Sequence, residues 1–336
     1  MLDGEIVGSG WHRQVGGPHA EVEALREAGE RARGATAYVT LEPCSHHGRT
    51  PPCADALIAA GVARVVACHG DPDPRVSGRG FAKLREAGIE VESGFLMDEA
   101  IRLNLAFLVA ATLRRPEVTL KWAMSLDGRI ATSTGQSQWI SSPRGRRWAL
   151  ELREEHDAIL AGSGTVLADD PRLDRRLGLA AAPNLRVVLD RRLRTPPEAR
   201  LFTVLGPVLI YTQASDAEKR TALEDRGAIV IALPVVEPAA ILADLWERGV
   251  RSLLVEGGGE VLSSFATSGC YDRVMVDCAP LLIGGKDAPG PLGGQGFAEL
   301  AAAARLEDLE ARERGGDLIL TAYREGCLKA LSEAVC

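Results

Sequence analysis

The 336-residue sequence predicts an α/β protein made of two successive domains. Strand-like and helix-like segments alternate almost from end to end. The alternation breaks once, where a long apolar helical stretch ends at Arg114-Arg115-Pro116. Alternation of this kind implies largely parallel strands joined through helices that cover the sheet. The boundary therefore falls between 1–113 and 114–336, and the length suffices for two separate cores.

In the first domain, residues 5–13 read as a strand. Pro18–Ala28 reads as a helix with Val22, Leu25 and Ala28 on one face. Strands at Ala37–Leu41, Arg64–Ala67 and Ile89–Glu92 alternate with helices at Pro51–Ala60 and Gly80–Ala87. The first of these two helices, Pro51–Ala60, starts on prolines, which the first turn of a helix tolerates. One helix is expected over Asp98–Leu113. The second domain opens with the strand Val118–Met124, followed by a helix near Arg144–Glu155 and a strand at Ala158–Ala161. Strands recur at Arg186–Leu189, Val208–Tyr211, Ile229–Ala232, Ser252–Val255 and Arg273–Cys278, with helices near Ala217–Asp225 and Ala239–Arg248. The Gly/Pro-rich stretch Gly284–Gly296 reads as a loop, and no internal repeat is visible.

Composition is that of a globular protein, 46% hydrophobic and 25% charged, with a net charge of −7 and no basic stripe. That argues against a polyanionic nucleic acid as partner, while local arginines could still bind a small phosphorylated molecule. No apolar run reaches the roughly 18 residues of a membrane span. The first residues have neither a basic flank nor an apolar signal core, so a cytoplasmic protein without membrane partners is expected. Seven cysteines form no disulfide framework. Cys68, Cys270 and Cys278 sit in apolar runs and read as buried small hydrophobes, whereas Cys327 and Cys336 fall in a tail without a recognisable pattern.

Chemistry concentrates near the start. His19-Ala20-Glu21 precedes Cys44 and Cys53, which bracket Ser45-His46-His47-Gly48-Arg49-Thr50-Pro51-Pro52. One imidazole and two thiolates form a tripod with a fourth position open, the arrangement of a hydrolytic zinc ion. One Zn2+ per chain is expected. His19, Cys44 and Cys53 are the expected ligands, and Glu21 the proton carrier. In such a site zinc acidifies water, Glu21 takes the proton, and hydroxide attacks a ring carbon bearing an exocyclic amine. The alternative is a structural zinc with His46 or His47 as fourth ligand. These two histidines read rather as facing substrate or solvent. In the second domain, Glu256-Gly257-Gly258-Gly259 follows a strand and opens a helix, as a pyrophosphate-binding turn does. Taken alone, a Gly-rich turn after a strand is more often only a turn.

These residues, with Gly17-Pro18-His19-Ala20-Glu21, Thr40-Leu41-Glu42-Pro43-Cys44 and Asp71-Pro72-Asp73-Pro74, resemble the bifunctional riboflavin-biosynthesis deaminase/reductase family. So do Lys121-Trp122-Ala123-Met124-Ser125-Leu126-Asp127-Gly128, Gly135-Gln136-Ser137-Gln138-Trp139, and Gly164-Thr165 through Asp169-Asp170-Pro171-Arg172-Leu173. The resemblance covers nearly the whole chain. It implies a cytidine-deaminase-like three-layer α/β/α domain followed by a dihydrofolate-reductase-like α/β domain. The implied reactions are zinc-dependent deamination of a phosphoribosylamino-pyrimidine and NADPH reduction of its ribosyl group. NADPH contacts are implied at Ala123, Trp139, Thr165, Asp169 and Gly258, Gly259, Glu260, Val261, Leu262, Ser263 and Ser264. Substrate contacts are implied at Ser137, Arg153, Leu173, Arg176 and Glu256. Arg153 and Arg176 would suit the substrate phosphate by bidentate pairing. A homo-oligomer is also implied.

The sequence departs from the family pattern in three places. Met1 falls where the loop after the first deaminase strand is expected, so either the true start lies upstream or the deaminase half is impaired. Asp174-Arg175-Arg176 stands for a more usual Thr-x-Arg, and Cys68-His69-Gly70 for apolar residues. A reductase with an impaired deaminase half, a paralogue acting on a related pyrimidine or pterin intermediate, and a zinc-stabilised binding module are the alternatives.

Overall fold

The computed structural model describes residues 1–14, 16–47, 51–73, 76–180 and 182–336. Gly48, Arg49, Thr50 and Pro74, which belong to the motifs above, lie outside the described residues. The chain divides into two compact units, Met1–Leu113 with Leu328–Cys336, and Arg114–Cys327.

The first unit holds α1 (Ala20–Ala28), β1 (Thr36–Val39), α2 (Cys53–Ala60), β2 (Arg64–Ala67), α3 (Arg79–Glu86), β3 (Glu90–Ser93), α4 (Met97–Leu103) and α5 (Leu105–Leu113). The strands form a three-stranded sheet in the order β1-β2-β3, parallel throughout. Ala54 and Leu57 of α2, Val65 of β2 and Leu84 of α3 make its core, joined by Leu25 of α1 and Val39 of β1. Residues 5–13 do not form the expected strand beyond an isolated bridge between Glu5 and Leu2. Instead they run against α1. A Cβ on Gly8 would lie 2.2 Å from the Ala24 carbonyl oxygen, and one on Gly10 would lie 2.3 Å from that of Ala20. The Ser9 N–H donates to Glu27 Oε2 at 2.9 Å, so its hydrogen bond goes to a helix side chain and not to a ladder. The expected single helix over Asp98–Leu113 is two helices. They part at Asn104, whose side-chain amide meets His69 Nε2 at 3.2 Å.

The second unit holds β4 (Glu117–Ser125), α6 (Pro143–Glu154), β5 (Ala158–Gly162), α7 (Ser163–Asp169), β6 (Leu185–Leu189), β7 (Val208–Thr212), α8 (Ala217–Glu224), β8 (Ala228–Ala232), α9 (Pro238–Glu247), β9 (Ser252–Gly257), α10 (Gly259–Thr267), β10 (Arg273–Ala279), β11 (Leu306–Arg314) and β12 (Asp317–Arg324). They build one nine-stranded sheet in the order β11-β12-β10-β4-β9-β5-β6-β7-β8. From β10 to β8 the strands are parallel, and the β11–β12 hairpin is antiparallel. Strands such as Ala158–Gly162 and Val208–Thr212 are buried along their whole length, as parallel strands covered on both faces must be. The last helix, α11 (Cys327–Val335), packs mainly with the first unit, whereas the sequence assigned the tail to the second. Its Leu331 and Val335 are buried four residues apart on one face, and Val335 accepts the Gly70 N–H at 3.0 Å. All seven cysteines are free. Cys278 and Cys327 are buried, but Cys68 and Cys270 are only half-buried, short of the full burial expected.

Where the second unit begins, Asp272 is fully buried and accepts both arms of the Arg115 guanidinium, at 2.7 and 2.6 Å, together with the Val118 N–H at 2.9 Å. The pair fastens the entry to β4 onto the segment leading into β10. Removing one partner of such a pair leaves an uncompensated charge and costs about 3–5 kcal/mol. Asp272→Ala is therefore expected to lower the unfolding free energy of the second unit by about 3 kcal/mol. Urea titration followed by tryptophan fluorescence measures this, and a loss below about 1 kcal/mol would show that the pair is not the fastening.

Candidate active sites

In the first unit, His19 is the N-cap residue of α1, Cys53 is the first residue of α2, and Cys44 lies in the irregular segment after β1. His19 Nδ1 lies 3.2 Å from Cys53 Sγ and 3.6 Å from Cys44 Sγ. The three donor atoms all fall within 4.8 Å of one another, and they form the metal-competent cluster found among the described residues. Donors on a tetrahedral zinc stand about 3.3–3.8 Å apart, so the set fits such an ion. Neither His46 nor His47 joins the cluster. His46 Nδ1 is buried and has no hydrogen-bond partner among the described residues.

The electrostatics favour the thiolate at Cys44. The Cys53 N–H, at the tip of α2, donates to Cys44 Sγ at 3.2 Å. A hydrogen bond from the Cys53 thiol is the main cause that holds Cys44 down at about 5. The same bond, aided by burial, pushes Cys53 up. Glu21 lies in the first turn of α1 and bonds the Cys53 side chain; burial raises its carboxyl above the ordinary range. A carboxyl poised in this way can take up and return a proton.

Two supports were not assigned from the sequence. His12 sets its ring edge-on to His19, with centroids 5.3 Å apart, and its Nδ1 meets the Pro18 carbonyl at 3.0 Å. Glu42, 3% exposed, accepts backbone N–H groups from Gly78 (2.9 Å), Gly80 (2.8 Å), Asp71 (3.3 Å) and Phe81 (3.3 Å). It thereby ties the segment carrying Cys44 to the start of α3. A Cβ on Gly80 would lie 2.0 Å from the Pro43 carbonyl oxygen, so only glycine permits this approach. A glutamate two residues before a ligand cysteine was the available signal.

In the second unit, the order of the strands creates a switch point. The connection after β5 leads through α7 to β6, whereas that after β9 leads through α10 to β10 on the other side. Open α/β sheets bind ligands in the crevice at such a point. Gly258 has φ +84, and Gly257 and Gly258 both lie against the Thr165 side chain. The Gly-rich turn and Thr165 are thus brought together, leaving backbone N–H groups at the tip of α10 for a pyrophosphate. Asp169 bonds Gln138. The Trp139 ring is 67% exposed with the Arg146 guanidinium 4.6 Å from its centre. Leu262, by contrast, points into the core at 2% exposure, so its side chain is turned away from any cofactor.

The residues expected around the substrate divide. Arg153 donates to Glu256 through one edge of the guanidinium, Nε to Oε1 at 2.8 Å and Nη2 to Oε2, while Nη1 reaches the Asp174 carbonyl. In this conformation Arg153 does not present a free fork to a phosphate, as had been expected. Burial works to raise Glu256, but the charge of Arg153 outweighs it and holds the carboxyl below its ordinary value. Lys121, beside this pair, is pushed down by burial. Leu173 is buried at 1% and can meet a ligand only through its backbone. Arg176 is 40% exposed, near Asp174.

A His/Cys/Cys metal cluster with an adjacent glutamate, followed by a nucleotide-type crevice in a separate sheet, defines a zinc deaminase joined to a reductase. Residues 1–69 match the cytidine and deoxycytidylate deaminase zinc-binding region, and residues 116–320 match the RibD C-terminal domain. The riboflavin biosynthesis protein RibD of Aquifex aeolicus is 43% identical over 95% of this chain and 89% of its own length; that of Escherichia coli is 43% identical over 95% and 90%. Among solved structures, Acinetobacter baumannii RibD matches with a TM-score of 0.82 at 38% identity, covering 96% of this chain and 90% of that one. A Thermotoga maritima diaminohydroxyphosphoribosylaminopyrimidine deaminase/5-amino-6-(5-phosphoribosylamino)uracil reductase matches with a TM-score of 0.83 at 35% identity, covering 96% and 89%. The chain belongs to the RibD family of riboflavin biosynthesis proteins.

Near Ala123, which pairs with Asp277 across the β4–β10 ladder, a carboxylate pair lies under the start of α6. A Cβ on Gly145 would sit 2.4 Å from Asp277 Oδ2 and 2.3 Å from Asp317 Oδ2, and Asp317 also accepts the Ser142 N–H at 2.7 Å. Burial first, and then the Asp317 charge, push Asp277 up to about 6. Its folded value thus exceeds the unfolded one, so the folded chain binds more protons between about pH 4 and 6. Stability from the protonated form is present below pH 4 and lost as pH rises through 6. Asp277→Asn should therefore be more stable than wild type at pH 7.5, by about 2 kcal/mol, with the gain vanishing near pH 4. Urea unfolding across this pH range measures it, and a gain independent of pH would show that the Asp277 carboxyl is not raised.

Proposed function

We propose that the chain carries out two consecutive steps of riboflavin biosynthesis. The first unit hydrolyses the amine of 2,5-diamino-6-(5-phosphoribosylamino)pyrimidin-4-one. The second reduces the ribosyl group with NADPH to give 5-amino-6-(5-phosphoribitylamino)uracil. The observation that carries this reading is the gathering of His19, Cys44 and Cys53 within 4.8 Å, with Glu21 bonded to one of the thiols.

His19, Cys44 and Cys53 would hold a zinc ion, which would supply acidified water. Glu21 would carry a proton at its carboxylate and deliver it to the departing amine, so that ammonia could leave neutral. In the second unit, NADPH supplies the hydride. The Gly258–Ser264 stretch and Thr165 would hold its phosphates, with Ala123, Trp139 and Asp169 along its length. Ser137, Arg176, Glu256 and the Leu173 backbone would position the substrate, and Arg153 would keep Glu256 ionised and oriented. The same reading carries a cytoplasmic homo-oligomer, supported by the family resemblance and testable by sedimentation of the purified protein.

Incubating the purified chain with the diamino substrate, with and without NADPH, tests the reading through ammonia release and NADPH absorbance. Ammonia without NADPH and NADPH consumption after deamination are expected. Reduction confined to pre-deaminated substrate would make the chain a reductase alone. Glu21→Gln is expected to retain zinc while losing at least about 100-fold in ammonia release. Wild-type deamination by that variant would remove Glu21 from the mechanism. Cys53→Ser is expected to lose zinc, seen by elemental analysis, while NADPH still binds; simultaneous loss of both would show that the two units do not fold independently.

A further inference from the structure

One cavity of the second unit takes no part in either reaction. It measures about 360 Å³ and is lined by Arg144 and Arg147 of α6 and by Glu313, Arg314 and Gly315 at the tip of the β11–β12 hairpin. Three arginines thus surround one space in a chain whose net charge is −7. Both walls are fixed. The Ser142 N–H, at the N-cap of α6, donates to Asp317 Oδ2 at 2.7 Å and pins the start of the helix to β12. Further along the helix, Glu151 accepts Arg147 Nε on Oε1 at 3.2 Å and Arg314 Nη2 on Oε2, which ties α6 to β11. Gly315 has φ +70, and a Cβ there would lie 2.5 Å from the Arg144 Cβ, so the hairpin turn rests directly on the Arg144 stem.

Donors outnumber acceptors around this space. Three guanidinium groups meet two carboxylates, and both carboxylates already accept hydrogen bonds: Glu151 from Arg147 and Arg314, and Glu313 from the Gly316 N–H at 2.6 Å. Arg147 and Arg314 each commit one nitrogen to Glu151, which leaves the rest of each fork free. Arg144 has no hydrogen bond or ion pair among the described residues. The cavity also stands apart from the substrate site. Arg153, which bonds Glu256, follows Arg144 by about two and a half helical turns and leaves α6 on the opposite side.

We infer that this cavity is a binding site for a sugar phosphate, whose phosphate is held by Arg144, Arg147 and Arg314. A phosphate monoester is close to doubly charged at neutral pH and presents several acceptor oxygens. Guanidinium forks meet such a group through charge-assisted hydrogen bonds, whereas a lone carboxylate would leave most of the donors unused. The volume is that of a site for a whole small molecule, so inorganic phosphate would fill only part of it. Among the described residues no aromatic side chain lines the cavity, which gives a base nothing to stack on and favours a sugar over a nucleotide. A ligand seated there bridges α6 and the hairpin, and so steadies the helix that carries Arg153 from outside the substrate site.

Calorimetric titration of the full-length protein, saturated with NADPH, tests this with ribose 5-phosphate, 5′-AMP and inorganic phosphate as probes. Ribose 5-phosphate should occupy a site with a dissociation constant below about 1 mM. In Arg144→Ala/Arg147→Ala that site should weaken by about 10- to 100-fold, while NADPH affinity changes less than about 2-fold. Arg144→Glu should weaken it at least as much, and added salt should weaken it in the wild type. No binding by the wild-type protein, or binding that both variants leave unchanged, would overturn the assignment. A parallel loss of NADPH affinity in the variants would overturn the separation of this cavity from the cofactor crevice. Inorganic phosphate binding as tightly as ribose 5-phosphate would overturn the sugar in favour of free phosphate, and tighter binding of 5′-AMP, lost in the same variants, would overturn it in favour of a nucleotide.

Discussion

Both units obey one constraint: parallel strands deliver their C-terminal ends, and the tips of the helices that follow, to a single edge. In the first unit this brings together groups far apart in sequence. Cys44 comes from beyond β1, Cys53 from the tip of α2, and His19 from the tip of α1, 34 residues away from Cys53. Helix tips carry partial positive charge, and the N–H at the tip of α2 donates to Cys44 and favours its thiolate. In the second unit the same rule gathers the Gly-rich turn and Thr165. The chemistry differs because the first edge collects sulfur and imidazole, whereas the second presents backbone N–H groups.

Such an edge is made of irregular chain, whose backbone donors need partners away from any ladder. Carboxylates supply many of them. Glu42 gathers donors from the run Asp71–Phe81. Glu154 accepts from Leu177, Leu179 and Ala180. Asp127 accepts from the Ser125 hydroxyl and from the N–H groups of Ile283 and Gly284; led by the hydroxyl, these bonds hold its carboxyl down at about 2. A loop fixed in this way costs an ionised side chain but needs no regular structure, and it keeps functional residues in place without extending the sheet.

The sequence was most legible where a pattern is local. Strands buried on both faces, such as Val208–Thr212, announce themselves as apolar runs, and the metal-competent His19, Cys44 and Cys53 announce themselves by residue type. Features set by distant partners were less visible. Residues 5–13 alternate like a strand, yet glycines at 8 and 10 let the chain lie on α1, and a side chain from α1 takes the Ser9 donor. The β11–β12 hairpin escaped because Leu306–Arg314 is rich in charge, as befits the edge of a sheet. The tail was unreadable until α11 was seen to bury Leu331 and Val335. The mutual pairing of Arg153 and Glu256 was equally hidden, since residue type gives each a role but not each other as partner.

That pairing bears on the whole face of the sheet beneath α6. Lys121, Arg153, Glu256, Asp277 and Asp317 are close enough to influence one another's protonation. With every group in its ordinary state the set carries two positive and three negative charges, an excess that a buried face tolerates poorly. Below about pH 6 a proton on Asp277 makes it neutral, in keeping with burial and the Asp317 charge pushing that carboxyl up. The charges of Lys121 and Arg153 are then balanced by Glu256 and the remaining carboxylate.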